Sequence, residues 1–225
     1  MRKIVVSATP GVVAPTRIVL LPGAYHEPED FGRAGFVAAV RARGLALDLE
    51  FVAPELGHLL DRTVLEALRR DVVEPARAAG CRALWLGGVS LGGFIALAYA
   101  DSRPGDIDGL CLLAPYLGNR SVTGEIGRAG GVRQWQPGAA AADDEERRVW
   151  SWIRQLPAPR LAVHLGYGRH DRFGHGHGLF AAVLPAGAVD AVDGGHAWPV
   201  WLRLWELFLD RHAHAAAAHA DAARV

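Results

Sequence analysis

Ser90 is the residue around which chemistry could be organised. It stands in "LWLGGVSLGGFIALAYA" (84–100), where Gly87, Gly88, Gly92 and Gly93 surround one hydroxyl at the junction of two apolar runs. Glycine weakens both strand and helix, so this density calls for a geometric reason. Gly88-Val89-Ser90-Leu91-Gly92 fits G-x-S-x-G between an expected strand and an expected helix. That turn holds a serine in strained backbone geometry and lifts its Oγ off a sheet, and it requires small residues two before and two after. The Leu91 N–H then opens the helix, where unpaired donors and the helix dipole favour an oxyanion. A Gly-Ser turn without chemistry is the plain alternative, since the pattern arises by chance in a chain with 27 glycines.

A serine hydroxyl attacks only if a base takes its proton. Of ten histidines, His196 in "DGGHAWPVW" lies just after the last expected strand and before the last helix. This puts it at the C-terminal edge of a parallel sheet, the edge where Ser90 must also lie. An acid has to fix the tautomer of that base. Asp171 in "GYGRHDRFG" follows the strand at 160–166 and reaches the same edge. Asp193 is too near His196 in sequence to approach Nδ1 easily, and Asp190 should lie inside a strand, so Asp171 is preferred, with a structural salt bridge as its plain alternative. The second oxyanion donor should come from "LLPGAYHEPEDF", with the Ala24 N–H favoured and Tyr25 next. Tyr25 is also a candidate to touch substrate, as are Trp135 and Trp152.

These residues need a scaffold. "RIVLL" (17–21), "LALDLEFVA" (45–53), "RALWLGG" (82–88), "IDGLCLLAP" (107–115), "RLAVHLGYG" (160–168) and "GAVDAVD" (187–193) read as strands, being short, apolar or alternating, and bounded by breakers. Helices are expected over 28–44, over 61–80 with Asp61 as N-cap and a kink at Pro75, after Ser90, and over 199–212. The last should turn Val200, Leu204, Leu207 and Phe208 inward. Strand–helix alternation of this length implies a mostly parallel sheet covered on both faces. Residues 116–158 break the rhythm and read as an insertion, helical from about Ala140 to Gln155 with Trp152 and Ile153 turned inward. The Ala-rich tail from 213 is polar enough to fray.

Taken together, "PGAY", "GGVSLGG", "GRHD" and "GGHAWPVW" in this order resemble the α/β-hydrolase superfamily over about residues 17–210. The resemblance implies a three-layer fold and a single domain, with 116–158 as a cap between the sixth and seventh strands that shapes acyl specificity. It further implies a Ser90–His196–Asp171 hydrolase that forms an acyl-enzyme on carboxylic esters or thioesters and needs no cofactor. "GGHAWPVWLRLWELFL" is similar to the ending of esterase-type members with H-x-W-x-x-W, which favours esters over amides. The oxyanion loop departs from the common H-G-G form, with Leu21-Pro22 in place of the histidine. An acyltransferase on the same triad and a non-catalytic ligand-binding member are the alternatives.

Other features narrow the classes. Lys+Arg 24 balances Asp+Glu 24, so nothing points to nucleic acid or an anionic membrane. Cys81 and Cys111 read as buried free thiols. No stretch matches a membrane span or a signal peptide, and a cytoplasmic location is expected; the oligomeric state is not readable. His170, His175 and His177 cluster beside Asp171, which leaves a zinc hydrolase as a further alternative, but the glycines at 174, 176 and 178 argue for a loop, and no strong metal-ligand spacing such as H-E-x-x-H is present. No partner spacing supports a metal site at His212, His214 and His219 either. "DDEERR" (143–148) reads as a solvated helix face near an N-terminus.

Overall fold

The computed structural model describes residues 1–55, 57, 63–138, 144–156 and 161–221, with side chains described to residue 212. Seven strands form one sheet in the order β1-β3-β2-β4-β5-β6-β7. They are β1 (Arg2–Val6), β2 (Thr16–Leu21), β3 (Leu47–Ala53), β4 (Ala83–Ser90), β5 (Gly109–Pro115), β6 (Ala162–Gly168) and β7 (Val189–Val192). Only the β1–β3 pairing is antiparallel. β1 lies outside the expected set: it is too short and exposed to carry an apolar signature, yet it covers the free edge of β3.

The central strands are buried on both faces, as parallel strands must be; β5 is buried at every position. Alternate residues divide between two cores. Val19 and Leu21 of β2 join one cluster, and Ile18 and Leu20 join the other. The second face is covered by α1 (Pro28–Arg33), α2 (Phe36–Ala42) and α9 (Trp198–Asp221). One helix was expected over 28–44, but Gly35 at φ +98 breaks it into α1 and α2. Gly44, at φ +60, ends the second piece as expected.

On the first face, α3 (Val64–Leu68) passes through a π-helical turn (Arg69–Val73) into α4 (Glu74–Ala78). The expected kink at Pro75 takes this form: proline has no N–H for the Asp71 carbonyl, and Lys3 Nζ donates to that oxygen instead at 3.0 Å. Asp61, the expected N-cap, lies outside the described residues. α5 (Leu91–Ser102) follows Ser90 and is buried from Gly92 to Ala100.

The insertion follows the fifth strand and precedes the sixth, one step earlier than the family plan implied. It contributes α6 (Arg120–Arg128) and α7 (Glu145–Ile153). Val122, Ile126, Trp135, Val149, Trp150 and Ile153 join the same core cluster as β4 and α5. Ile153 faces inward as expected, whereas Trp152 is only half-buried and Trp150 takes the interior position, its Nε1 donating to Leu117 O at 2.7 Å. α7 is capped by the Asp144 carboxylate, with Glu145 and Glu146 in its first turn. Residues 174–181 form α8 (Gly174–Ala181) instead of the expected loop. α9 runs on to Asp221 through most of the tail, in keeping with the high helix propensity of alanine. No described helix is long and apolar enough to cross a membrane.

Candidate active site

The strand order reverses between β2 and β4: the chain passes from β2 outward to β3, then returns to the other side at β4. Crevices at the C-terminal ends of such strands are where open α/β sheets bind ligands. Ser90 ends β4 there, beside the loop that leaves β2.

Ser90 has φ +52 and ψ −119, a conformation that a non-glycine residue adopts only when its surroundings impose it. Those surroundings are backbone. A Cβ on Gly88 or on Gly92 would come closer than 3.0 Å to the Leu21 carbonyl oxygen, and one on Gly93 would lie 2.8 Å from Pro115 Cβ. These three glycines, together with Gly87 against the Cys111 carbonyl, thus let β4 and α5 close against β2 and β5. Tyr25 (φ +66) and Ala114 (φ +49) are the other non-glycine residues with positive φ among those described. All three lie where strands end at this rim, so backbone strain is concentrated there.

Leu91 is the first residue of α5, so its N–H has no intrahelical acceptor. Across from it, Gly23 to His26 form a turn closed by His26 N–H to Gly23 O at 3.2 Å. Ala24 and Tyr25 are the exposed central residues, and the positive φ of Tyr25 suits the third position of a type II turn. An ideal Cβ on Gly23 would lie 3.1 Å from Ser90 Cβ and 3.3 Å from His26 Cδ2, so this turn packs against the serine.

His196 and Asp171 meet directly. His196 Nδ1–H donates to Asp171 Oδ2 at 2.7 Å, and Asp171 Oδ1 accepts the Phe173 N–H at 2.8 Å. Burial works to raise the Asp171 pKa, but these hydrogen bonds outweigh it and hold the carboxyl below its ordinary value. With Nδ1 protonated, the lone pair is on Nε2, and Nε2 is buried without a hydrogen-bond partner among the described residues. The rivals are engaged elsewhere: Asp193 pairs with His170 at 2.9 Å on the surface, and Asp190 pairs with Arg211 at 2.6 Å.

Backbone contacts fix the relation of the two loops that carry this pair. His170 N–H donates to Gly194 O at 2.9 Å and Arg169 N–H to Val192 O at 2.8 Å. A side chain on Gly168 would strike Gly194 O. The imidazole is walled edge-on by Phe173 at 5.1 Å and Trp201 at 5.0 Å between ring centroids. Trp201 also meets His26 edge-on at 5.8 Å. The chain of contacts Ser90–Gly23–His26–Trp201–His196–Asp171 therefore closes around one rim.

Trp135 and Trp152 do not join it. Trp135 is 2% exposed, with Nε1 donating to Glu125 at 2.8 Å, a core position at odds with a role in lining an acyl pocket. Trp152 is half-buried and shares no ring contact or hydrogen bond with the Ser90 rim among the described residues. Sequence reasoning passed over His26, Phe173 and Trp201; His26 could have been found as the histidine that directly follows "PGAY". The histidines of "RHDRFGHGHG" form no metal cluster with other ligating residues among those described. His177 donates Nε2–H to Pro115 O at 2.8 Å, and burial pushes its pKa down.

Residues 18–225 match the model of a family described as the alpha/beta hydrolase family. No curated protein matches. Among solved structures, Est1E from Butyrivibrio proteoclasticus aligns with a TM-score of 0.60 at 16% identity, covering 94% of this chain and 94% of that one. A monoacylglycerol lipase from Paleococcus ferrophilus gives 0.59 at 15% identity, covering 94% and 98%. S-formylglutathione hydrolase FrmB from Staphylococcus aureus gives 0.59 at 10% identity, covering 88% and 80%. At these identities the likeness is one of fold.

Proposed function

Since the chain belongs to the alpha/beta hydrolase family, we propose that it is a serine hydrolase acting on carboxylic esters or thioesters. Ser90 Oγ attacks the acyl carbonyl while His196 Nε2 takes its proton. The Leu91 and Ala24 N–H groups receive the oxyanion, each such donor being worth roughly 3 kcal/mol of transition-state stabilisation. His196 then returns the proton to the leaving alcohol or thiol, and a water activated by the same nitrogen releases the acid. Asp171 keeps the imidazole in the tautomer that presents a lone pair at Nε2.

The observation that carries this reading is the 2.7 Å bond from His196 Nδ1 to Asp171, which leaves Nε2 free on the rim where Ser90 stands. Transfer of the acyl group to an alcohol or thiol rather than to water would use the same residues. Small-molecule partners follow from the reading, and a cytoplasmic setting suits two buried free thiols.

A fluorophosphonate probe should label the protein at Ser90, as read by peptide mapping. Labelling and hydrolysis of p-nitrophenyl esters should both vanish in Ser90→Ala and His196→Ala. Ester turnover by a protein that the probe leaves unmodified would refute the serine mechanism. A rise in acyl-product formation with added alcohol or thiol would mark the transferase form.

A further inference from the structure

Beside the rim, a cavity of about 610 Å³ opens between the start of α6 and the start of α8. Its wall is continuous with the rim. Tyr116 N–H donates to Ser90 O at 2.8 Å, and the Tyr116 ring meets Phe173 edge-on at 5.3 Å. Phe173 in turn faces the His196 imidazole. The cavity is thus one ring away from the base and one residue away from the nucleophile's own strand.

Its charge is one-sided. Among the described residues, Arg120 and Arg172 line it, with His175, and no carboxylate does. Neither arginine side chain makes an ion pair or a hydrogen bond among the described residues, whereas Arg43, Arg77 and Arg147, among others, have an acidic partner. Arg172 is held over the Phe173 ring, its Cζ 4.9 Å from the centroid, which orients the guanidinium by cation–π attraction without neutralising it. Glu146 lies under Gly118, and its carboxylate accepts hydrogen bonds from Tyr116 OH at 2.6 Å and from Asn119 N–H at 3.0 Å and Nδ2 at 2.8 Å. His175 Nε2 is 3.2 Å from Thr123 O. Two unpaired, permanently charged forks at the mouth of a reaction site are suited to a carboxylate or phosphate on the substrate.

We propose that this cavity binds an anionic group of the substrate through Arg120 and Arg172, so that the preferred esters are those bearing a negative charge away from the scissile bond. This rests on the serine-hydrolase reading for its connection to turnover, but the site itself can be read without turnover.

Two ester pairs locate the charge. Phenyl butyrate against 4-carboxyphenyl butyrate places it on the alcohol side, and 4-nitrophenyl methyl adipate against 4-nitrophenyl hydrogen adipate places it on the acyl side. In at least one pair the anionic member should have a kcat/KM about tenfold higher, mostly through KM. The R120Q/R172Q double variant should lose that preference while turning over the neutral members as before. Added salt should erode it, because both guanidinium groups are solvent-accessible. Preference for the neutral member in both pairs, or a preference that survives in the double variant, overturns the proposal. Calorimetric titration of monomethyl adipate into the Ser90→Ala protein reads the cavity alone. Saturable binding that is lost when R120Q/R172Q is added upholds the anion site even if Ser90 proves unreactive, and no binding overturns it.

Discussion

A hydrogen bond at one ring nitrogen decides the chemistry available at the other. Asp171 accepts from His196 Nδ1 and is itself anchored by the Phe173 N–H, so orientation and tautomer are set together. Asp171→Asn should keep the fold and the ring position, with Tm little changed, yet lower kcat on esters by about 10⁴-fold, because the amide can hold the wrong tautomer. A kcat within a few-fold of wild type would mean that another group orients the base. The three proposed catalytic positions were legible as residue types placed after expected strands. The choice of Asp171 over Asp190 and Asp193 was legible in part, from sequence proximity and strand placement. What their side chains do instead, pairing with Arg211 and His170, depends on folded neighbours. Trp135 misleads at this scale, since an aromatic residue in an insertion looks the same in sequence whether it lines a pocket or fills a core.

At the scale of elements, the strand–turn–helix unit β4–Ser90–α5 depends on what it lacks. Gly92 faces the Leu21 carbonyl so closely that Gly92→Ala must push β2 and α5 apart. The expected cost is about 1–3 kcal/mol, the usual range for overpacking, with a lowered denaturation midpoint in urea and reduced labelling of Ser90 by the fluorophosphonate probe. Unchanged stability would show that the turn tolerates a methyl group there. Six of the seven strands could be read within two or three residues because burial on both faces selects continuous apolar runs, whereas β1 could not. The helix over 174–181 could not, since its glycines argue against helix on propensity alone. Tertiary contacts override that: Asp171 receives the Phe173 N–H just before the first turn, His177 is tied to Pro115 O, and Phe180 is buried in the core. Likewise Gly35 splits an apparently continuous pattern, because a glycine inside a helical period does not announce its own φ.

Across the whole molecule, the buried histidines make stability depend on acid. His164 of β6 is fully buried, with Asp190 of β7 at 3.8 Å and Phe208, Arg211 and His212 of α9 around it. Burial, helped by His212 and Arg211 and opposed by Asp190, pushes its pKa down to about 3. His177 and His212 are shifted in the same direction by burial. Below the ordinary histidine value of about 6.5 the unfolded chain takes up protons that the folded chain refuses. Stability should therefore be full above that pH and decline steadily as pH falls towards 3. His164→Leu should flatten the decline of Tm between pH 6.5 and 4, whereas an unaltered slope would assign the acid sensitivity to other groups.

The sequence by itself determined the alternation of strands and helices, the glycine-framed serine, and the order in which the proposed acid and base follow it, because these depend on local sterics and on apolar periodicity. Only the tertiary structure decided what engages the rival acids Asp190 and Asp193 and that the insertion belongs to the core. It also brought two arginines, 52 positions apart, to one cavity beside the rim. Such pairings link residues far apart along the chain, and their partners are selected by how whole elements pack rather than by any neighbour in sequence.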